Sequence, residues 1–137
     1  MIRTVFLFAL LLFSAFSCSK EEDTHVDPLE KFPARISRVE APETATVGST
    51  VPITVYFTVN SGCGEFGSFD VEKKYFGAYI IKVYPKYREG LCTLDLPTRQ
   101  VTYEFKPTTP GTYTLHFWSD DPDVYITKAI VVSSDNL

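Results

Sequence analysis

The groups able to do acid–base, nucleophilic or metal chemistry are few and scattered. Two histidines, His25 and His116, and three cysteines, Cys18, Cys63 and Cys92, occur in 137 residues. Nucleophilic catalysis needs a hydroxyl or thiol beside a base that a third group orients. His25 lies in a stretch with no apolar period to hold it, which leaves His116 as the one base on a structured segment. No G-x-S-x-G or similar nucleophile turn accompanies it. Zinc wants three or four convergent ligands, and one structured histidine does not supply them. The expectation is a chain that is not an enzyme and holds no cofactor.

Four other constellations have a chemical reading. Asp120, Asp121 and Asp123 place three carboxylates in one short loop, hard oxygens of the kind Ca²⁺ takes. Their spacing matches no EF-hand, and Asp is also common in plain turns because it bonds its own backbone. His116 and Trp118 stand two apart, so on a strand they share one face. A Trp beside a His makes a platform for a sugar ring or a protein partner; the competing reading is that Trp118 covers the end of the core or meets a neighbouring loop. Lys82, Tyr84, Lys86, Tyr87 and Arg88 alternate base with aromatic, a pattern that can stack nucleobases or grip acidic glycans. The net charge of −4 argues against nucleic acid, and Glu89 interrupts the run, so a solvated strand and turn is expected there. Glu65, Asp70 and Glu72 contain the two carboxylates of a glycosidase, but in a short segment with no evident cleft around it.

The elements that must position these groups read as strands. With 45% hydrophobic and 22% charged residues the composition is globular rather than disordered, and the length suits one domain. Tyr, Phe, Val and Thr lean it towards β. Val51, Ile53, Val55, Phe57 and Val59 alternate with Pro52, Thr54, Tyr56, Thr58 and Asn60, which describes a half-buried strand. The same period marks 101–106 and 112–118. Shorter runs are expected at 34–39, 66–71, 78–84, 91–96 and 125–132, with a loop around Lys73, Lys74 and Gly77. No helical period of useful length appears. Seven or eight short strands with a turn every 8–12 residues predict a two-sheet, antiparallel β-sandwich.

The first seventeen residues form a separate unit. Arg3 is followed by an apolar run from Val5 to Phe16, too short for a comfortable membrane span of roughly 20 residues. It fits the apolar part of a secretory leader. Ala15 and Ser17 precede Cys18, and a cysteine directly after such a site resembles the lipobox of bacterial lipoproteins. The resemblance implies that the Cys18 thiol takes a lipid, that the leader is cut just before it, and that acyl chains such as palmitate hold the protein on a membrane. Ser19-Lys20-Glu21-Glu22-Asp23 resembles the surface-export signal of Bacteroidetes-type lipoproteins, and is otherwise a solvated acidic tether. The organisation expected is a leader over 1–17, a lipidated Cys18 with a flexible acidic tether over 18–33, and a sandwich over 34–137. The expected location is a bacterial outer membrane, with the domain exposed at the cell surface.

Export through an oxidising compartment leaves Cys63 and Cys92 to pair as a disulfide, with a metal pair or redox couple as the alternatives. Gly111-Thr112-Tyr113-Thr114-Leu115 resembles the tyrosine corner at strand F of immunoglobulin-like domains, with Leu115 in place of the cysteine. Pro42 to Val55 is similar to the opening strands of bacterial members. The resemblance implies an immunoglobulin-like sandwich in which the Cys63–Cys92 bridge pins a loop rather than the core. The expected function is non-catalytic binding or adhesion to a protein or glycan partner. The alternatives are an inhibitor of an envelope enzyme such as a protease, or an accessory subunit of an outer-membrane uptake complex.

Overall fold

The computed structural model describes residues 27–134 apart from positions 121 and 123. The leader, Cys18, His25 and the rest of the tether up to residue 26 lie outside the described residues, as do Asp121, Asp123 and 135–137.

Among the described residues eight strands follow a single 3-10 turn: β1 (Arg35–Glu40), β2 (Thr44–Thr46), β3 (Val51–Thr58), β4 (Gly64–Tyr75), β5 (Ala78–Tyr87), β6 (Thr98–Phe105), β7 (Gly111–Asp120) and β8 (Val124–Ser133). They make two sheets, in the orders β1-β3-β6 and β2-β8-β7-β5-β4. Alternation explains why the sheets must close on each other. Val51, Ile53, Val55 and Phe57 of β3, and Tyr113, Leu115 and Phe117 of β7, are buried, while the residues between them face outwards. Ile36, Ile81, Val83, Phe105, Ile130 and Val132 fill the space between the two inner faces. An aromatic seam runs through this core. The centroids of Phe66 and Phe69 are 4.8 Å apart, those of Phe69 and Tyr103 5.1 Å, and those of Phe105 and Tyr113 5.1 Å, the last two edge to face.

The expected two-sheet sandwich is present, and the places where the strands differ from expectation have physical causes. β4 runs on through Lys73 and Lys74 to Tyr75, where the sequence suggests a loop. Its far half is exposed at every residue from Asp70 onwards, so it has no apolar period to read; backbone pairing with β5 carries it. Residues 91–96, expected as a short strand, form none; Leu91 and Leu94 are three apart and so would not share one face of a strand. The pairing is also mixed. β2–β8 and β5–β7 are parallel, and the other four pairings are antiparallel. Phe76 and Gly77 close the β4–β5 hairpin, with Gly77 at φ 77°, and a Cβ there would come within 2.7 Å of the Thr112 carbonyl oxygen. Of the two hairpin strands β5 is the more apolar, so it takes the inner position beside β7 and leaves the edge to β4. That choice sets β5 parallel to β7. An immunoglobulin sandwich instead places the strand after B beside F.

The tyrosine corner is built as the G-x-Y pattern implies. Gly111 sits at φ 140°, and the buried Tyr113 donates its hydroxyl to the Thr109 carbonyl at 3.0 Å, with Thr109 Oγ1 at 2.9 Å. The strand directions divide the sandwich into two ends. The corner, the β4–β5 hairpin and the connections before β2 and β3 lie at one. At the other are the start of β1, the β3–β4 turn, the β5–β6 loop and the β7–β8 turn. The described chain enters at this second end, called the tether end below. There the 3-10 turn Pro28–Lys31 is capped by Asp27, and Glu30 accepts the Tyr87 amide at 2.7 Å. The last part of the stretch read as a flexible tether therefore rests on β5. Ala34 then bridges to Val83 before the chain crosses to the other sheet, and Ser119 ties the crossing with a 2.8 Å bond to the Ile36 carbonyl.

Candidate functional site

The outward face of the five-stranded sheet carries the pair singled out in the sequence. The register sets His116 of β7 between Thr127 of β8 and Ile80 of β5, and sets Trp118 beside Tyr125. His116 Nδ1 lies 3.0 Å from the Thr127 hydroxyl, and the imidazole meets the Tyr125 ring edge-on at 6.0 Å. Among the described residues no carboxylate is bonded to this imidazole. The Thr127 hydroxyl thus holds the imidazole in one orientation on the sheet face. Lys82 and Tyr84 of β5 continue the same face, and no third layer covers it among the described residues. By contrast, the outward face of the three-stranded sheet is polar, with Thr54, Thr102 and Glu104 exposed or half-buried and the Arg38 guanidinium 3.9 Å from the Tyr56 ring centroid.

Trp118 is half-buried and serves a second purpose. It forms one wall of a groove of about 300 Å³ at the tether end, with Leu29, Phe32, Pro85, Tyr87 and Leu96 among the other walls. It thus joins the outward face to the end surface, so the two competing readings of this residue describe its two sides.

The tether end also holds the expected disulfide and, on the loop it pins, exposed leucines that the sequence did not mark. The β5–β6 connection, residues 88–97, is fastened to the β3–β4 turn by the Cys63–Cys92 disulfide, which closes 29 residues of chain. Backbone bonds run beside it: Gly62 N–H to Thr93 O at 3.0 Å, Arg88 N–H to Cys63 O at 3.2 Å and Val59 N–H to Pro97 O at 3.1 Å. Arg99 donates to the Gly62 and Gly64 carbonyls, each at 3.0 Å, and the Asn60 amide bonds the Tyr87 hydroxyl at 3.1 Å. The loop is held along most of its length, yet Leu91, Leu94 and Leu96 are 105%, 96% and 65% exposed. Phe32, beside the same groove, is 68% exposed. In the run Leu-Cys-Thr-Leu-Asp-Leu-Pro the leucines break the period of a strand, and the signals that separate it from one are that break and the pinning cysteine inside it.

The remaining groups disperse. Glu65 pairs with Arg88 at 3.0 Å and Glu72 with Lys74 at 2.6 Å, and Asp70 stands opposite Lys82 on an exposed edge strand rather than in a cleft. Asp120 ends β7, while its two companions lie outside the described residues. Among the described residues no cluster of His, Cys, Asp or Glu is arranged to hold a metal ion. Inside the sandwich, burial pushes the Tyr103 hydroxyl above the ordinary phenol range, and Tyr79 adds to the shift.

Comparison with known proteins gives one match. The family model described as the ORF11 beta-sandwich domain matches residues 53–129. The match runs from β3 into β8 and includes the disulfide, the leucine loop, His116 and Trp118. No curated protein and no solved structure matches the chain.

Proposed function

The chain belongs to the ORF11 beta-sandwich domain family, and on that premise we propose that it is a lipid-anchored, non-catalytic binding module of a bacterial envelope. Residues 1–17 and Cys18 support the anchor, because an apolar leader ending in small residues before a cysteine is what lipid attachment requires. The leader is removed, the Cys18 thiol is acylated, and the outer membrane holds the product with the domain at the cell surface. The observation that carries the binding role is the uncovered face on which His116, Trp118 and Tyr125 stand together. Flat aromatic surfaces desolvate at low entropic cost and so suit a sugar ring or a protein side chain. The ring nitrogen held by Thr127 adds a polar group of fixed direction.

The test uses a photo-crosslinking residue in the full-length protein in its own host. Placed at Tyr125 it is expected to trap a protein or glycan, and placed at Thr102 on the opposite sheet it is expected to trap none. Equal labelling from both faces, or none from either, contradicts the assignment. A hydrolytic activity abolished by His116→Ala would replace it with a catalytic role.

A further inference from the structure

We propose that the tether end is itself a membrane-docking surface. Leu91 and Leu94 enter the interfacial layer of the bilayer that holds the Cys18 acyl chains, and Leu96, Leu29 and Phe32 line the rim. This rests on the lipid-anchor reading above.

Three observations lead to it. First, the exposed leucines are not side chains waiting to fold inward. The disulfide and the backbone bonds from Gly62, Arg88 and Val59 hold the loop with those side chains outside. An apolar group kept in water by its own scaffold marks a contact surface. Second, the anchor joins the domain at this end. Asp27 lies nine residues beyond Cys18, a distance of about 30 Å if extended and about 17 Å as a coil. The end carrying the leucines is therefore within reach of the bilayer, and the opposite end points away. Third, the charges at this end are of mixed sign: the exposed Lys31, Arg35 and Lys86 are accompanied by Asp27, Glu89 and Asp95, while Glu30 is held by the Tyr87 amide, Arg88 by Glu65, and Arg99 by two carbonyls. Asp120 shares this end of the sandwich. With both signs present there is no basic excess among the described residues for lipid headgroups, so the contact rests on the apolar side chains and is expected to resist salt.

The consequence is an orientation. With the tether end against the lipid, the sheets stand upright and the outward face is presented sideways, with Trp118 and Tyr125 nearest the bilayer and His116 further from it.

The experiment uses the mature acylated protein in phosphatidylcholine vesicles with brominated acyl chains, which quench nearby tryptophan. Trp118 is the sole tryptophan, so Trp118→Phe gives a silent background. On it, Leu94→Trp reports the tether end and Phe76→Trp the tip of the opposite hairpin. The Leu94→Trp emission is expected to fall to less than half while Phe76→Trp emission is unchanged, at low and high salt alike. Adding Leu91→Ser should reduce the quenching while the protein still sediments with vesicles. Equal emission at both positions in a protein that is acylated and sediments with vesicles overturns the docking and leaves the anchor standing. An unmodified Cys18 with no sedimentation overturns the anchor, and the docking with it. A Leu94 reporter shielded by a second copy or another protein, with no lipid quenching, likewise overturns it in favour of a protein interface.

Discussion

The two ends of the sandwich are closed by different means. At the far end the closure is a packed side chain: Tyr113 is buried, stacks among Tyr79, Phe105 and Phe76, and bonds back to Thr109. At the tether end a covalent bridge between Cys63 and Cys92 closes two connections that contribute little to the core. The difference has a physical lesson. A turn closed by burial must put its apolar side chains inside. A turn closed by a disulfide is relieved of that demand, and it can hold leucines in water at a fixed position.

The largest expected effect is at the packed end. Tyr113→Ala empties the centre of an aromatic cluster and should destabilise by about 3–5 kcal/mol, the range for deleting a large buried ring; Tyr113→Phe, which loses only the corner hydrogen bonds, should cost about 1 kcal/mol. Denaturant melts of both variants check this, and a near-silent Tyr113→Ala would show that the corner does not close that end. Next comes the bridge. Replacing Cys63 and Cys92 together by serine should cost about 2–4 kcal/mol, and limited proteolysis should then cut within 88–97 while the parent resists. Equal resistance would mean that the backbone bonds alone hold the loop.

A smaller effect belongs to the core between the ends. Burial raises the Tyr103 hydroxyl above its ordinary value of about 10. The unfolded chain loses that proton first as pH rises. The stabilisation from the neutral, buried phenol is complete below about pH 10 and is lost as pH climbs through the raised value. Melts across that interval should fall less steeply for Tyr103→Phe than for the parent. The smallest effect is the most informative about the leucines. Leu91→Ser with Leu94→Ser should change stability by no more than about 0.5 kcal/mol, as for surface positions. A loss of several kcal/mol would mean that these side chains pack in the fold and are not a contact surface.

Much of this was legible in the residues. β3, β6 and β7 declare themselves by strict alternation, and the corner by Gly111 and Tyr113. The disulfide followed from cysteine arithmetic joined to the expectation of export. What was not legible depends on partners distant in sequence. The outer half of β4 has no buried face, so only its pairing with β5 makes it a strand. The order β7-β5-β4 depends on which hairpin strand is the better buried, which alternation does not reveal. The 91–96 run is rich in leucine but lacks strict alternation, and the cysteine within it ties it to the β3–β4 turn. At the candidate site the sequence marked His116 and Trp118. It had no means of marking Tyr125 and Thr127, which reach them only through the β7–β8 register.

The proposed anchor decides which of the two ends faces lipid, and so which face is left for a partner. Mass spectrometry of the amino-terminal peptide, taken from the protein purified from envelopes, addresses this most directly. The expected peptide begins at Cys18 and carries the added mass of acyl chains. A peptide that retains the leader, or begins at Cys18 with a free thiol, would contradict the anchor and with it the orientation of the whole molecule.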